Sequence, residues 1–476
     1  MGSEPIIVNS RRQLFIDDML VDYTSRVALK VNPPLKTGPV LRADSPWEGH
    51  RVGAYGTVME DNNLYKMWYD AVDRDAKIYH CYAISKDGIR WEKPSLGLVD
   101  YYGSRNNNIL PLPPCGTVFL DPTAPLNQRY KYVTCGHGGA GGFMDDNGIR
   151  VWWSEDGLRW EPNRDYALPL NADSQNQAFW DERIGKYVAY LRAWNPLRCV
   201  ARVEVENLFN PWPYKPRDDV AYGRGNPSKW PAPTTELPIV FKYDDSDPEN
   251  SDHYNPCVVK YPYAKDAYYM FPSAYLHFPE PPAGKRHNDG LLDIQIATSR
   301  DGIKWNRLTR DTYVRLGRKD ELDSGAMYMF VGLIRDRSVL WMYYAGYDYT
   351  HGTGDLETMH YTGAIFRVVQ RLDGFTSFDA GYEGGELLTK PLVFTGSRLL
   401  LNVDTSATGE VKVEVQDEDG KPFPKFDLKS CDPIYANDCS KVVTWNHVSD
   451  VSSLTGKPLK LKFAMRNAKL YAFQFV

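Results

Sequence analysis

The chain has 476 residues, a formal net charge of −5 and 42% hydrophobic residues, enough for two domains and a large buried core. Charges of both signs are interspersed, so neither nucleic acid nor a membrane surface is expected as a partner, and no apolar run reaches the length of a membrane span. Helical periodicity is nearly absent, while 37 Gly and 33 Pro are spread through the chain, which predicts an all-β fold.

In chain order, Met1-Gly-Ser-Glu-Pro carries no apolar targeting segment and reads as a vector-derived leader, which leaves localisation open, with a secreted or periplasmic protein whose signal peptide has been removed as one option. Residues 13–21 form a lone predicted strand that either completes the last repeated unit or bridges to the C-terminal domain. Three elements then recur in a fixed order. The first is an apolar strand A, at 53–59, 116–120, 176–180, 257–261 and 327–331. The second is an aromatic strand B, at 64–69, 129–133, 186–191, 267–271 and 340–344. The third is a strand C leading into a turn phrase.

That phrase is Ser85-Lys-Asp87-Gly88-Ile-Arg-Trp91, Ser154-Glu-Asp156-Gly157-Leu-Arg-Trp160 and Ser299-Arg-Asp301-Gly302-Ile-Lys-Trp305, with degenerate copies ending at Trp212 and Phe378. Asp-Gly between strands is a strong hairpin signal. Serine and aspartate side chains can accept backbone amides inside the turn, and the tryptophan packs on the next strand. Strand A, turn, strand B, loop, strand C, Asp-Gly turn, strand D is a propeller blade, and five copies predict five blades. Past residue 386 this pattern stops. Short strands at 398–403, 411–416, 441–445, 459–463 and 470–475 read as a β-sandwich. The division is therefore 1–386, a five-bladed β-propeller, and 387–476, a β-sandwich.

Seven cysteines are an odd number without metal-ligand spacing. Buried free thiols are the expectation, with a Cys431–Cys439 bridge as the alternative. No metal or cofactor is expected.

Propeller topology sorts the polar residues. Entries to strand A and the B–C loops line one central pocket, whereas A–B and C–D turns lie on the far face, which makes Asp121, Asp181 and the Asp-Gly turns structural. Glu48 and Arg51 enter the first unit, Asp173 the third, Asp252 and His253 the fourth, and Glu321 and Asp323 the fifth. The B–C loops add Asp70, Asp73, His137, Arg192, Trp194, His277, Asp348 and His351. Carboxylates converging on one pocket have their titrations pushed apart, leaving one acid and one ionised base or nucleophile, as glycosidic cleavage requires. Aromatics offer faces to sugar rings, and Arg and His donate to hydroxyls, carboxylates or sulfates.

Units carrying Ser-x-Asp-Gly-x-x-Trp, followed by a sandwich ending in Leu470-Tyr-Ala-Phe-Gln-Phe475, resemble the five-bladed propeller glycoside hydrolases of families 32 and 43. The resemblance implies three acidic residues at successive strand A entries acting as base or nucleophile, stabiliser and acid. Asp173, Asp252 and Glu321 or Asp323 hold those places, with Glu48 following cyclically. No Asn-Asp-Pro-Asn-Gly opens the first unit and Phe119-Leu-Asp121-Pro122 only half-matches Arg-Asp-Pro, so the resemblance is to a divergent member. The expected function is an exo-acting glycoside hydrolase on a carbohydrate substrate. Asp173 is expected as base or nucleophile, Glu321 or Asp323 as acid and Asp252 as stabiliser. Arg51, His137, Arg192, Trp194, His253, His277, Asp348 and His351 are expected to bind substrate. A non-catalytic glycan-binding propeller and a protein-interaction scaffold are the alternatives.

Overall fold

Aromatic and β-branched residues in period-two runs pack well on pleated, half-buried surfaces, and these runs form strands here. The computed structural model describes residues 4–136, 148–163, 165–216, 230–279, 289–352 and 361–476. Among them the protein is all-β, with helical structure confined to three short 3-10 turns. No helix among the described residues is long and apolar enough to cross a membrane.

Three sheets have four antiparallel strands in sequence order. The first is Arg51–Asp61, Leu64–Val72, Ile78–Ser85 and Ile109–Leu110. The second is Thr117–Leu120, Tyr130–Thr134, Arg150–Ser154 and Glu161–Pro162. The third is Gln177–Asp181, Lys186–Trp194, Arg198–Val205 and Ile239–Phe241. A fourth unit pairs Val258–Lys260, Tyr268–Met270 and Ala297–Ser299. A fifth joins Ala326–Met329, Val339–Tyr347, Ala364–Arg371 and Leu35–Arg42.

The inner strands touch in a closed circuit. Thr57 Oγ1 accepts from Val118 N at 3.0 Å, and Thr117 Oγ1 donates to Asn176 O at 2.7 Å. Gln177 Oε1 accepts from Val258 N at 2.8 Å, and Cys257 Sγ lies 3.2 Å from Phe330 O. Val331 N donates to Gly56 O at 2.9 Å.

The turn phrases lock neighbouring units together. In each, Asp87, Asp156 or Asp301 accepts two backbone N–H groups at 2.8 Å through one carboxylate oxygen. Each glycine has positive φ, 67°, 79° and 72°, which only glycine adopts without strain. Its carbonyl accepts from an aromatic on strand B of the preceding unit. Tyr343 OH donates to Gly88 at 2.9 Å, Trp68 Nε1 to Gly157 at 2.9 Å and Tyr190 OH to Gly302 at 2.8 Å.

Fourth strands depart from expectation. The segments after Trp91 and Trp305 form single bridges, Ile84 with Glu92 and Thr298 with Asn306. In the first and third units the outer strand is Ile109–Leu110 or Ile239–Phe241, reached after a long excursion. The copy ending at Phe378 gives no outer strand to the fifth unit. Thr376–Ala380 instead pairs with Val27–Val31 and with Ala468–Leu470, and Leu35–Arg42 takes the vacated edge. Of the two options for residues 13–21, the bridge to the C-terminal sheets is the one realised, because Gln13–Leu14 pairs with Ala472–Phe473.

Two sheets face each other at the C-terminal end. One orders Asn437–Val442, Leu399–Asp404, Ala468–Phe475, Thr376–Ala380 and Val27–Val31; the other orders Val21–Ser25, Gly385–Thr389, Lys460–Arg466 and Glu410–Gln416. Alternating side chains from both bury a core that includes Phe15, Phe463, Phe473 and Trp445. All seven cysteines are free and six are buried, so Cys431 and Cys439 are not bridged.

Candidate functional site

The ends of the inner strands and the loops beside them enclose a bowl of about 360 Å³. Its wall is bent by backbone in the left-handed region at three strand entries: Ala54 at φ 82°, Cys115 at φ 65° and Asp173 at φ 21°. At Ala54 the cause is a bulge, since the ladder between the first two strands shifts register between Val52 and Gly56. Non-glycine residues held in such conformations store strain that surrounding structure must offset, and they cluster at functional sites.

Asp173 lines the bowl with its side chain 40% exposed, and its Oδ2 lies 3.4 Å from Arg192 Nη1. Arg192 is wholly buried. Its Nε donates to Tyr254 O at 2.9 Å, Nη2 donates to the same oxygen, and its guanidinium lies 4.0 Å over the Tyr254 ring. The backbone and ring of Tyr254 thus fix the cation that fixes Asp173.

A tyrosine cage surrounds this pair. Tyr55 OH donates to Tyr254 OH at 3.1 Å, Tyr328 hydrogen-bonds His351 Nδ1, and Tyr347 and Tyr349 stack at 5.0 Å. His351 lies 4.4 Å from the Tyr254 ring. Burial, and then Arg198, Arg192 and Arg51, push its pKa well below the usual histidine value, so it is neutral. Arg51 lies beside Tyr349 OH at 3.3 Å and over the Tyr347 ring at 5.6 Å.

One further carboxylate lines the bowl and another stands behind its wall. Asp70 lines it and is buried; Oδ1 meets His80 Nδ1 at 2.8 Å and Oδ2 accepts Cys115 N at 3.0 Å. Asp252 is buried behind Arg198, with Oδ2 3.0 Å from Arg198 Nη1 and 3.2 Å from His277 Nε2. Burial raises its pKa, but His277 and Arg198 outweigh that and hold it below the usual carboxylate range.

Other nominated residues lie elsewhere. Glu48 is buried within the first unit and accepts from Tyr69 OH at 2.7 Å, Lys93 Nζ at 2.7 Å and the Asp44 and Ser45 amides. Glu321 is exposed and accepts Arg318 N at 2.7 Å, closing its own turn. Asp323 is buried under the fifth unit, clasping Lys36 Nζ at 2.5 Å and Tyr344 OH at 2.7 Å. His253 alternates with Asp252 along its strand and so points the other way, 4.7 Å from Phe241. Trp194 lies beside Arg192 without lining the bowl, and Asp348 is exposed on a loop. His137 lies outside the described residues.

Sequence reasoning passed over Arg198, Tyr347 and Tyr349, and named Asp70 only as a loop residue. Tyr254 follows Asp252 and His253 in the fourth strand A entry, and Arg198 follows Pro196 across the loop from Arg192; those positions are the available signal. Among the described residues no group of three or more His, Cys, Asp or Glu is placed to hold a metal ion.

No family model matches this chain. No curated protein matches it. Solved structures similar to it include a glycoside hydrolase, 14% identical over 71% of this chain and 92% of that one, TM-score 0.45. A glycosyl hydrolase from Bacteroides ovatus is 12% identical over 76% and 93%, TM-score 0.42. A thermostable family-43 glycoside hydrolase is 14% identical over 69% and 92%, TM-score 0.40.

Proposed function

We propose that the circuit of inner strands is a five-bladed propeller whose bowl is the active site of a glycoside hydrolase, with the sandwich as its support. The observation that carries this reading is Asp173, a part-exposed carboxylate on strained backbone, aimed into a polar, aromatic-walled bowl and gripped by a buried arginine. Asp173 serves as base or nucleophile. Asp252, kept ionised by His277 and Arg198, stabilises positive charge developing on the sugar. Asp70 is the third acidic side chain. Glu321 and Asp323, occupied in a turn and a clasp, take no part.

Tyr55, Tyr254 and Tyr328 supply ring faces and hydroxyls for a sugar. A bowl of about 360 Å³ suits a terminal sugar better than a continuous chain, which favours exo action. The test is an activity screen of wild type and Asp173→Asn against plant, algal and microbial glycans, read by product chromatography. Monosaccharide release by wild type and its loss in the variant support the proposal; no release from any glycan, or undiminished release by the variant, sinks it.

A further inference from the structure

We infer that the bowl reads an anionic group on its substrate, a carboxylate or a sulfate ester, through Arg51; this rests on the carbohydrate reading above and names its substrate class. Two guanidinium groups, those of Arg51 and Arg198, line the bowl, and a third, Arg192, stands behind Asp173. Two have carboxylate partners: Asp173 lies 3.4 Å from Arg192 and Asp252 lies 3.0 Å from Arg198. The other lining carboxylate, Asp70, is already engaged, because its oxygens meet His80 Nδ1 and the Cys115 amide.

Arg51 is left over. Among the described residues no carboxylate lies within ion-pair distance of it. Its neighbours are the Tyr349 hydroxyl and the Tyr347 ring, and its Nε is buried without an acceptor. A cation removed from water without a counter-ion is costly, and neutral hydroxyls satisfy its N–H groups but not its charge. A substrate anion does both, since the planar guanidinium fork matches a carboxylate or sulfate edge. One feature favours that anion over a neutral ring. The wall beside Arg51 is the stacked Tyr347–Tyr349 pair, which carries no charge to repel an anion.

Titration calorimetry of the full chain with D-glucuronate, D-galacturonate and D-galactose 6-sulfate, each against neutral D-glucose or D-galactose, decides the matter. At least one acidic sugar is expected to bind about tenfold tighter than its neutral counterpart, with an affinity that falls as salt rises. Which sugar shows the preference separates carboxylate from sulfate. Arg51→Gln is expected to erase the preference while melting no lower than wild type, because it removes a half-buried charge that has no carboxylate partner among the described residues. Arg51→Lys, which keeps the charge and loses the fork, is expected to retain part of the preference and covers the case in which the glutamine variant does not fold. Equal binding of acidic and neutral sugars, or a preference that survives Arg51→Gln, overturns the inference and leaves the glycosidase reading standing. No binding of any sugar overturns both.

Discussion

Arg192 and Asp173 lie 3.4 Å apart although the arginine is fully buried and the aspartate is partly open to the bowl. The arginine is anchored independently by the Tyr254 carbonyl and ring. The aspartate is therefore the exchangeable member of the pair and the arginine the structural one.

Replacing each should separate the two roles. Asp173→Asn is expected to keep the fold and lower kcat by at least about a thousandfold, the scale of losing a catalytic group. Arg192→Ala is expected to destabilise by about 3 kcal/mol, because it strips the buried Tyr254 carbonyl of its donors and leaves a cavity. Urea denaturation and steady-state kinetics on both variants provide the comparison.

Glu48 is expected to behave as a frame residue. Glu48→Gln weakens acceptors for Lys93, Tyr69 and two backbone amides, so the midpoint of unfolding should fall by the equivalent of about 1–3 kcal/mol. Turnover per folded molecule should stay at the wild-type level. A large kcat loss with unchanged stability would return Glu48 to the catalytic list.

The clasp between Lys36 and Asp323 holds an N-terminal strand on the edge of the fifth unit. Asp323→Asn and Lys36→Met should each lower the melting temperature. In a double-mutant cycle their coupling energy should be positive, about 1 kcal/mol or more, because the carboxylate is buried. Additive effects would show that the clasp does not contribute to closure.

Acid sensitivity should come from buried neutral histidines. Burial, and then Arg307, push His253 from 6.5 down to about 4, and His351 is also lowered. A histidine with a depressed folded-state pKa is protonated in the unfolded chain first. Stability is therefore highest above about pH 6.5 and falls as pH drops toward 4. Both His253 ring nitrogens lack partners, so His253→Phe should pack on Phe241 without leaving an unmet bond. Its unfolding midpoint should exceed wild type at pH 5 and match it at pH 8. Equal slopes of midpoint against pH in the two proteins would refute this assignment.

Local chemistry was legible in the chain. Asp87-Gly88, Asp156-Gly157 and Asp301-Gly302 specify their turns by themselves, because the carboxylate that accepts the amides and the glycine that tolerates positive φ sit within four residues of each other. The alternating runs on either side carry the strands, so the all-β class and the repeated unit follow from sequence. The strand-entry rule also pointed to Asp173 and Arg51, and the B–C loops to Arg192 and His351. What a linear reading could not assign was partnership over hundreds of residues. Asp323 looks like Asp173 until Lys36 is found against it, and Glu48 looks catalytic until Tyr69 and Lys93 close on it. Thr376–Ala380 looks like an outer strand until Val27–Val31 claims it. Whether a carboxylate is a reactive group or a structural one depends on which groups reach its oxygens. Only the closed tertiary arrangement, which exchanges water for those distant donors, decides that.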